Sequence, residues 1–438
     1  MNVGDVVQGF ARDRIRTALL AGLRLRGDLM GQIFDSTVRD DPYPMYRRLR
    51  EMGPVVRTTM GPLTTHHAVC DGVLRHPSVL TATTMRDEIA GGGQRFQRWL
   101  FGTPNRGALI EPIGPESMIG MNAPEHTRMR KLVSKAFTRR AVEELRPRLT
   151  RIADDLVHQV RSEPSFDLMS EVAGVFPVSV ICELLAIPEP DHQQFRRWGS
   201  ALAADLDTLT PAPKEREATN ALRALQDYFT DLFDQRRRDP GDDLLSELIM
   251  VEEAGDRLTS RELLATCTLL LFAGFETTVN LIGNGVAALL DHRDQLDQLR
   301  SDHGLIPAAV DELLRYDTSI QLTSRVPSED IEVEGVQLRA GEPVSVMIGG
   351  ANRDPAVFDD PESLDIDRHN ARRHLSFAAG PHHCLGASLA RLEGEIMITA
   401  LLDQLGDLRP AGEAPRRPTF VLRGYESLPL RGNPTPVR

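Results

Sequence analysis

Residues 376–386 read SFAAGPHHCLG, and the helix-forming segment ASLAR follows at positions 387–391. Cys384 therefore lies between two glycines, Gly380 and Gly386, just before the N-terminus of a predicted helix. The dipole and the free backbone N–H groups of a helix N-terminus stabilise a thiolate. Glycines let the backbone approach the sulfur and direct those N–H groups at it. Phe377 can pack over the sulfur and exclude water, and His382 can donate to a nearby anion.

Three interpretations of Cys384 are open on these residues alone. An isolated cysteine is most often a small buried hydrophobe. A zinc site would need His374, His382 and His383 as further ligands, but no second cysteine lies close and the spacings match no zinc module. A soft thiolate in a dry pocket instead suits the iron of a haem that must cleave an O–O bond.

The stretch resembles the haem-binding signature of the cytochromes P450, F-x-x-G-x-H-x-C-x-G. The resemblance implies haem b, iron protoporphyrin IX, as cofactor. It implies Cys384 as the axial ligand to the metal and His382 as a contact of a haem propionate, and it adds Phe377 and Gly386 to the haem-binding set. The commoner signature has glycine at the position of Ala378, a small difference that leaves the ligand assignment intact.

A second motif begins with a capping box, TSRE at residues 259–262, in front of an apolar run that reaches about Asp291. The run predicts a helix of roughly 32 residues and about 48 Å. A helix that is apolar nearly all round is buried on all sides, so we expect this helix to cross the core.

The middle of this run reads AGFETT, residues 273–278. Thr277 can donate back to the carbonyl of Ala273, and Gly274 permits a distortion that leaves a groove for dioxygen. Glu276 and Thr277 can then relay protons to the oxygen, whereas the alternative is a kink without chemistry. The segment is similar to the P450 pattern A/G-G-x-D/E-T-T/S. The resemblance implies catalytic roles for Glu276 and Thr277 and places Ala273 at the haem.

Glu312 and Arg315 form an i, i+3 ion pair of a kind common on exposed helix faces. Arg368 follows, sixteen residues before Cys384. In cytochromes P450 an E-x-x-R pair joins a later arginine in a buried network that braces the cysteine side of the haem. The resemblance implies this structural role for Glu312, Arg315 and Arg368.

His126 and Arg130 are four residues apart and therefore share one face of a predicted helix. Two donors on one face suit a haem propionate, and the alternative is an ordinary basic helix surface. The stretch is similar to the P-x-H-x-x-x-R segment of bacterial P450s. Arg325, ten residues after Arg315, matches the family's other propionate arginine.

The remaining patterns predict a mainly α-helical chain with small β-sheets. The resemblance makes this the cytochrome P450 fold, with the haem between the long central helix and the cysteine-ligand loop. Apolar periodicity predicts helices over 141–161 and 216–238. The other predicted segments are a strand pair over 331–338 turning at Glu334-Gly335, a strand over 343–348, an ordered irregular loop over 352–376 and a terminal hairpin over 420–430 around Gly424.

No repeat, low-complexity tract or Gly/Ser linker divides the 438 residues, so we expect a single domain over 1–438. An additional helix is expected within about residues 1–40, where arginines flank the apolar stretch 17–23. This helix either packs on the domain or rests on a membrane surface as a basic amphipathic helix.

Composition narrows the partners and the compartment. The net charge of −12 argues against nucleic-acid binding, which needs lysine and arginine to neutralise phosphates. Four cysteines in 438 residues form no disulfide scaffold and fit a reducing cytoplasm. No run of about 18 apolar residues predicts an integral membrane segment. We expect a cytoplasmic monomer.

The resemblance implies a haem-thiolate monooxygenase that inserts one oxygen atom of O2 into an unactivated C–H bond and reduces the other to water. No G-x-G-x-x-G motif opens a strand–helix unit, so the electrons are expected from a ferredoxin and its NAD(P)H-dependent reductase. Cationic residues usually dock such acidic partners. The candidates, for which plain solvation is the alternative, are Arg128, Lys131, Lys135, Arg372 and Arg373.

Two other functions stay open. The first is a peroxygenase that uses hydrogen peroxide directly. The second is a non-catalytic haem binder or gas sensor. The Glu276-Thr277 pair argues against both, because peroxide already carries the protons and a sensor needs no proton relay.

Specificity in the family depends on the long helix and on segments that here are 78–119, the region near Leu206, 320–323 and 424–425. The residues expected to line the pocket are apolar: Leu269, Phe272, Ala273, Ile320 and Leu322. An apolar small molecule, lipid-like, terpenoid or polyketide, is therefore the expected substrate.

Overall fold

A computed structural model describes residues 3–33, 35–59, 61–81, 106–205, 210–241, 243–250, 252–253 and 256–432. Helices dominate these residues. The helices are α1 Val3–Leu25, α2 Leu29–Ile33, α3 Ser36–Asp40, α4 Tyr43–Glu51, α5 His67–Arg75, α6 Glu125–Val133, α7 Arg139–Glu144, α8 Arg146–Val160, α9 Phe176–Leu184, α10 His192–Ala204, α11 Ala212–Arg238, α12 Leu244–Met250, α13 Ser260–Asp291, α14 Arg293–Ser301, α15 Ile306–Tyr316, α16 Ile348–Ala351 and α17 Ala387–Leu405. Shorter turns of 3₁₀ or π geometry are Ser134–Phe137, Leu168–Ala173, Glu189–Asp191, His303–Leu305, Ala371–Arg373 and Gly380–His382.

The strands are short and form small sheets. They are β1 Val56–Thr58, β2 Gly61–Thr64, β3 Val79–Thr81, β4 Phe166–Asp167, β5 Glu252–Glu253, β6 Asp256–Arg257, β7 Thr323–Pro327, β8 Ile331–Val333, β9 Val336–Leu338, β10 Val344–Val346, β11 Arg409–Pro410 and β12 Pro429–Arg431. The largest sheet has the order β1-β2-β10-β7-β3, in which Arg325 of β7 pairs with Val344 on one side and Thr81 on the other. The predicted class, mainly α with small sheets, is confirmed.

The long helix α13 has the predicted boundaries. Thr259 accepts from the backbone N–H of Glu262, and the Glu262 side chain accepts from the backbone N–H of Thr259, so both halves of the capping box are present. Residues along the helix belong to the main hydrophobic core, and the ideal Cβ position of Gly394 in α17 lies 3.4 Å from Leu281 Cδ2. The helix α13 therefore crosses the core and packs on the helix that follows Cys384.

The helix α13 is also the one described helix long and apolar enough to cross a membrane. Of its most apolar stretch, 78% is buried inside the protein. We therefore regard it as the core helix of a folded domain, since most of its side chains are buried.

Several predicted elements are confirmed and two are wrong. The helix over 216–238 lies within α11, the strand pair over 331–338 is β8 and β9, and residues 344–346 form β10. The predicted helix over 141–161 is two helices, because Pro147 lacks the N–H that would bond to the Glu143 carbonyl and the chain tightens at Leu145.

The predicted terminal hairpin over 420–430 is wrong. Residues of this segment pair with other segments instead of with each other: Leu422 bridges to Ile320, and Tyr425 bridges to Arg416. The backbone N–H of Arg417 donates to the Gly424 carbonyl at 3.0 Å. Buried backbone N–H and C=O groups need hydrogen-bond partners. Here residues 319–321 and 415–417 provide these partners for the segment 421–426.

The N-terminal helix α1 packs on the body of the protein. Arg12 forms an ion pair with Glu215 of α11, and Arg16 Nη2 donates to the Thr210 carbonyl at 2.9 Å. Asp13 Oδ2 accepts from the backbone N–H of Ala212 at 2.9 Å. The first of the two alternatives, a helix packed against the domain, is therefore confirmed. The single domain over 1–438 stays a prediction.

Candidate functional site

The cysteine loop is held by its own backbone. The backbone N–H of Cys384 donates to the Phe377 carbonyl at 2.8 Å, and the Gly386 N–H is bonded to the sulfur. Gly386 is the N-cap of α17. Gly380 has φ = +67°, and its ideal Cβ would lie 2.4 Å from the Leu74 carbonyl oxygen. The predicted loop geometry is therefore confirmed: the backbone at position 380 requires glycine, and the N-terminus of α17 faces the sulfur.

Ala378 has φ = 55°, in the left-handed region that favours glycine. The commoner family signature has glycine at this position. Left-handed backbone brings a Cβ too close to the following carbonyl and costs roughly 1–2 kcal/mol. The alanine is therefore accommodated at a small cost in backbone strain.

Cys384 differs from the other cysteines. It is accessible, whereas Cys70, Cys182 and Cys267 are buried. Dense protein around the accessible thiol raises its pKa by desolvation, while the Gly386 N–H, Arg130 and Arg391 act in the opposite direction. The sulfur of Cys384 is therefore accessible although protein atoms surround it, so a ligand can reach it.

Phe377 and Arg391 form a layer beside the cysteine. The Arg391 guanidinium lies 4.6 Å from the centre of the buried Phe377 ring. Its Nε donates to Asp311 at 2.6 Å, and Arg372 donates to the other oxygen of the same carboxylate at 2.8 Å. Sequence reasoning missed Arg391 and Asp311, although Arg391 is seven residues from Cys384 on the adjoining helix.

Four cationic or basic side chains converge on one place from three distant segments. The rings of His126 (α6) and His382 (cysteine loop) are 4.1 Å apart between centroids. Burial, and after it the nearby His126, Arg325 and Arg130, together lower the pKa of His382 to about 3. Arg130 Nη2 also donates to the His383 carbonyl at 2.7 Å. The structure thus brings together the four predicted propionate contacts.

This cluster contains no acid among the residues that the structure describes. Arg325 is only 8% exposed, and its guanidinium donates to Thr323 Oγ1 at 3.0 Å and the Ser324 carbonyl at 2.9 Å, both uncharged acceptors. Burial lowers its pKa to about 10. The Nε2 atom of His126 is buried without a hydrogen-bond partner.

A buried cation without a counter-charge is costly. The donor set therefore fits an anionic group, and the two carboxylates of haem match it in charge and number. With Cys384 accessible beside it, the residues present fit a haem. His126, Arg130, Arg325 and His382 would hold its propionates.

The centre of α13 is bonded as predicted but is not distorted. Thr277 Oγ1 donates to the Ala273 carbonyl at 2.7 Å. The helix continues without a break from Ser260 to Asp291, so the expected distortion at Gly274 is wrong. Gly274 packs against α9 instead, since its ideal Cβ would lie 3.1 Å from Ile181 Cδ1. Leu270, Ala273, Gly274 and Thr277 share one face and keep some accessible surface, unlike most of this helix.

Glu276 is 1% exposed. Burial raises the pKa of its carboxyl, while Arg417 and Arg196 act in the opposite direction. Arg417, from the C-terminal segment, forms an ion pair with Glu276 Oε1. Neither arginine could be assigned from the sequence, because each lies on a segment remote from α13.

The predicted triad is present and fully paired. Arg315 donates to the two oxygens of Glu312 at 2.7 and 2.8 Å, and Arg368 Nε donates to Glu312 Oε1 at 3.1 Å. The backbone N–H of Asp365 donates to the same oxygen at 3.0 Å. The remaining Arg315 N–H groups reach backbone carbonyls at 2.9–3.0 Å. All three side chains are buried, so the exposed-helix-pair alternative is wrong.

The residues predicted to line the substrate pocket differ in exposure. Ala273, Ile320 and Leu322 keep accessible surface, but Leu269 and Phe272 are buried core residues. Ser319, next to Ile320, donates to the Thr277 carbonyl at 2.8 Å, which places this segment beside the centre of α13. Residues 82–105 of the predicted 78–119 loop, and Leu206, lie outside the described residues.

The docking candidates differ in their partners. Arg128 bonds to Asp256 at 3.1 Å and to Glu262, so its charge is largely neutralised. Arg372 pairs with buried Asp311, yet 74% of its side chain is exposed. Arg373 is exposed. Arg128 is therefore a weaker docking candidate than Arg372.

Comparisons with known proteins give the family. A family model described as Cytochrome P450 matches residues 191–406. Cytochrome P450 monooxygenase PikC of Streptomyces venezuelae is 40% identical over 403 residues, which cover 89% of this chain and 91% of PikC. Vitamin D(3) 25-hydroxylase of Pseudonocardia autotrophica is 39% identical over 418 residues, covering 94% of this chain and 99% of that protein.

A solved structure agrees with these relatives. The cytochrome P450 PksS of the bacillaene polyketide synthase, from Bacillus subtilis 168, superposes with a TM-score of 0.80 at 35% identity and covers 91% of this chain and 98% of its own. The fold, the cysteine loop and the relatives agree, and the chain therefore belongs to the cytochrome P450 family of haem-iron oxidoreductases.

Proposed function

We propose that this enzyme is a haem-thiolate monooxygenase that hydroxylates a C–H bond of an apolar substrate. The observation that carries the proposal is the acid-free cluster of His126, Arg130, Arg325 and His382 beside the accessible Cys384. The cofactor proposed is haem b, with Cys384 as its axial ligand. Bound haem supplies oxygen activation; the chain's own residues bind it, exclude water and deliver protons.

The reaction sets what the protein must provide. Inserting one atom of O2 into a C–H bond and reducing the other to water consumes two electrons and two protons. We propose a ferredoxin and its NAD(P)H-dependent reductase as the electron source. Exposed cations near the cysteine side, such as Arg372, support docking of an acidic partner.

Two residues of α13, Thr277 and Glu276, are proposed to supply the protons of the reaction. Thr277 holds its hydroxyl proton toward the Ala273 carbonyl at 2.7 Å, on the accessible face of the helix. Burial raises the pKa of the Glu276 carboxyl, which favours its protonated form more than in an exposed glutamate. We propose that Glu276 replenishes the proton that the Thr277 hydroxyl delivers.

The substrate proposed is lipid-like, terpenoid or polyketide. Support comes from the apolar residues Ala273, Ile320 and Leu322 and from the names of two relatives, a vitamin D(3) 25-hydroxylase and a polyketide synthase P450. A spectral binding screen across these three classes tests the proposal. A response confined to small polar compounds would contradict it.

The remaining parts of the proposal concern location and assembly. Three buried free thiols support a reducing, cytoplasmic location. A monomer stays the proposed state, which size-exclusion chromatography with light scattering would test.

The ligand assignment is tested by Cys384→Ser. We expect the wild-type ferrous–CO band to be shifted strongly to the red by the thiolate, and the variant to lose that shift entirely. Cys182→Ala, which removes a buried thiol, is the control and should keep the shift. A shifted band in Cys384→Ser would refute the proposed ligand.

An NADH-coupled assay separates the monooxygenase from its alternatives. A monooxygenase forms product with ferredoxin, its reductase and O2. A peroxygenase forms product with hydrogen peroxide but not with the electron-transfer proteins, and a sensor forms none under either condition.

A further inference from the structure

The N-terminal helix α1 has a packed face and an outward face. Three charged side chains of the packed face bond to the body of the protein: Arg12, Asp13 and Arg16. The contact is close, since an ideal Cβ on Gly9 would lie 2.7 Å from Ala212 Cβ. Asp13 is the only acid between residues 11 and 26, so the outward face has none over this length.

The outward face of α1 is apolar. Positions 11, 15, 18, 22 and 25 are three or four residues apart and therefore share one side of the helix, and position 19 adjoins them. Of these, Ile15, Leu19 and Leu25 are 43%, 40% and 88% exposed. Six large apolar side chains are exposed in the part of the chain that the structure describes, and three of them are on this one helix.

Arginines accompany this apolar stripe. Arg14 and Arg26 are exposed beside it. Arg24 is exposed as well, but it pairs with Asp35 and contributes less charge. The whole chain has a net charge of −12, so the outward face of α1 has the opposite sign to the molecule that carries it. Charge complementarity therefore points to an anionic partner.

A bilayer surface fits this combination better than a second copy of the chain. Helices that lie in a membrane interface place apolar side chains at the boundary of headgroups and acyl chains, and their arginines attract anionic lipids. A two-fold contact between copies uses the same patch twice, so it would bring the arginines of the two copies together, which is unfavourable.

We propose that the outward face of α1, with Ile15, Leu19 and Leu25 as its apolar part and Arg14 and Arg26 as its charges, docks this protein on an anionic lipid bilayer. Because α1 is bonded to α11, the docking holds the folded body at the surface. It fits the proposed cytoplasmic location, since the cytoplasmic leaflet is negatively charged. The inference goes beyond the proposed oxidation and does not depend on it.

Flotation of the holoprotein with lipid vesicles tests the docking. One set of vesicles is phosphatidylcholine, and the other is phosphatidylcholine mixed with phosphatidylglycerol. We expect stronger binding to the mixed vesicles, and we expect it to weaken as salt is added, because salt screens exposed charges. Equal binding to both sets, or no binding to the mixed vesicles, would overturn the proposal.

Substitutions on the outward face separate its apolar and charged parts. Ile15→Glu should weaken binding to the mixed vesicles more than about tenfold, because an apolar side chain no longer enters the bilayer. Arg26→Ser should weaken it roughly fivefold. Both variants should keep the wild-type CO spectrum and urea midpoint. If Ile15→Glu disturbs folding, Leu25→Glu replaces it, since Leu25 is far more exposed. Wild-type binding by a folded glutamate variant would refute the docking face.

The matched control is Met250→Glu. Met250 is an exposed apolar residue at the end of α12, which follows the far end of α11 from the contact with α1. The variant makes the same change of charge at another surface and should bind vesicles as the wild type does. Equal weakening by Met250→Glu and Ile15→Glu would assign the effect to net charge and refute the proposal.

Light scattering tests the second copy as the occupant of this face. We expect a monomer without vesicles, for the wild type and for Ile15→Glu. A wild-type dimer that Ile15→Glu converts to a monomer would assign the outward face of α1 to self-association and overturn the lipid docking.

Discussion

Two buried polar clusters of this protein differ in how completely their polar atoms are paired. The triad of Glu312, Arg315 and Arg368 satisfies every carboxyl oxygen with at least one hydrogen bond of 2.7–3.1 Å. Glu276 and Asn280 of α13 are just as buried, but Glu276 has its ion pair with Arg417 on one oxygen only, and neither amide atom of Asn280 has a hydrogen-bond partner among the described residues.

The difference distinguishes buried polar residues that stabilise the fold from buried polar residues that take part in the reaction. A fully paired buried network holds its segments in one arrangement, and losing one member leaves an uncompensated charge. A buried acid that is only partly paired lowers stability, and it persists where its protonation is used. The two clusters should therefore respond to substitution in opposite ways: the triad through folding, and the Glu276 region through chemistry.

The largest effect is expected from Glu312→Ala. Arg315 would keep a buried charge without its acid, which costs about 3–5 kcal/mol of a typical 5–15 kcal/mol stability. We expect little folded holoprotein, measured as purified yield and urea midpoint. Glu143→Ala is the control, because Glu143 and Arg146 form the same E-x-x-R pattern with both side chains exposed. That variant should lose less than about 1 kcal/mol. Equal losses of stability in Glu312→Ala and Glu143→Ala would show that burial does not distinguish the two ion pairs.

Thr277→Ala is expected to act on chemistry alone. Folding and haem content should stay at wild-type levels, while product formation falls roughly 10²-fold and NADH is diverted to hydrogen peroxide, because the proton at the Thr277 hydroxyl is lost. Product and peroxide per NADH are the measurements. Thr278→Val changes the neighbouring buried threonine and should keep wild-type coupling. Unchanged coupling in Thr277→Ala would remove its proposed role.

Arg325→Leu tests a third kind of buried charge. Among the described residues Arg325 donates only to uncharged acceptors, and its proposed acidic partner is a haem propionate. Charge-assisted hydrogen bonds are worth about 1.5–3 kcal/mol, so haem should leave about 10- to 140-fold faster. Transfer of haem to excess apomyoglobin measures this rate. The retained holoprotein should keep its thiolate-type CO spectrum. The exposed Arg339→Leu is the control, and equal rates for both variants would show that Arg325 does not hold a propionate.

The smallest effect is expected from Arg372→Ala. Arg372 is largely exposed, and Asp311 keeps Arg391 and His374 as partners, so stability should change by less than about 1 kcal/mol. If Arg372 docks the ferredoxin, the KM for ferredoxin should rise while kcat stays constant. The rise should be larger at low ionic strength, because salt screens exposed charges. A KM unchanged at low salt would remove Arg372 from the docking surface.

Local motifs were predictable because their geometry is set within a few residues. The capping box of α13, the Thr277–Ala273 bond and the N–H of Gly386 toward the sulfur each join residues within one turn. Errors arose where a local pattern had a non-local answer. Gly274 was interpreted as a distortion, but Ile181 of another helix occupies the space beside it.

Sequence alone therefore determined the local geometry of the cysteine loop, the extent of the long helix and the Thr277–Ala273 bond, because each depends on adjacent residues whose backbone geometry is nearly obligatory. Tertiary structure decided which polar residues are paired. The pattern E-x-x-R occurs at both 143–146 and 312–315, and only burial makes one of them a buried network. Likewise, Arg417 reaches Glu276, and Gly424 covers Asn280, only through the path of the C-terminal segment. Such contacts depend on how remote segments pack against each other, and no short stretch of sequence specifies that packing.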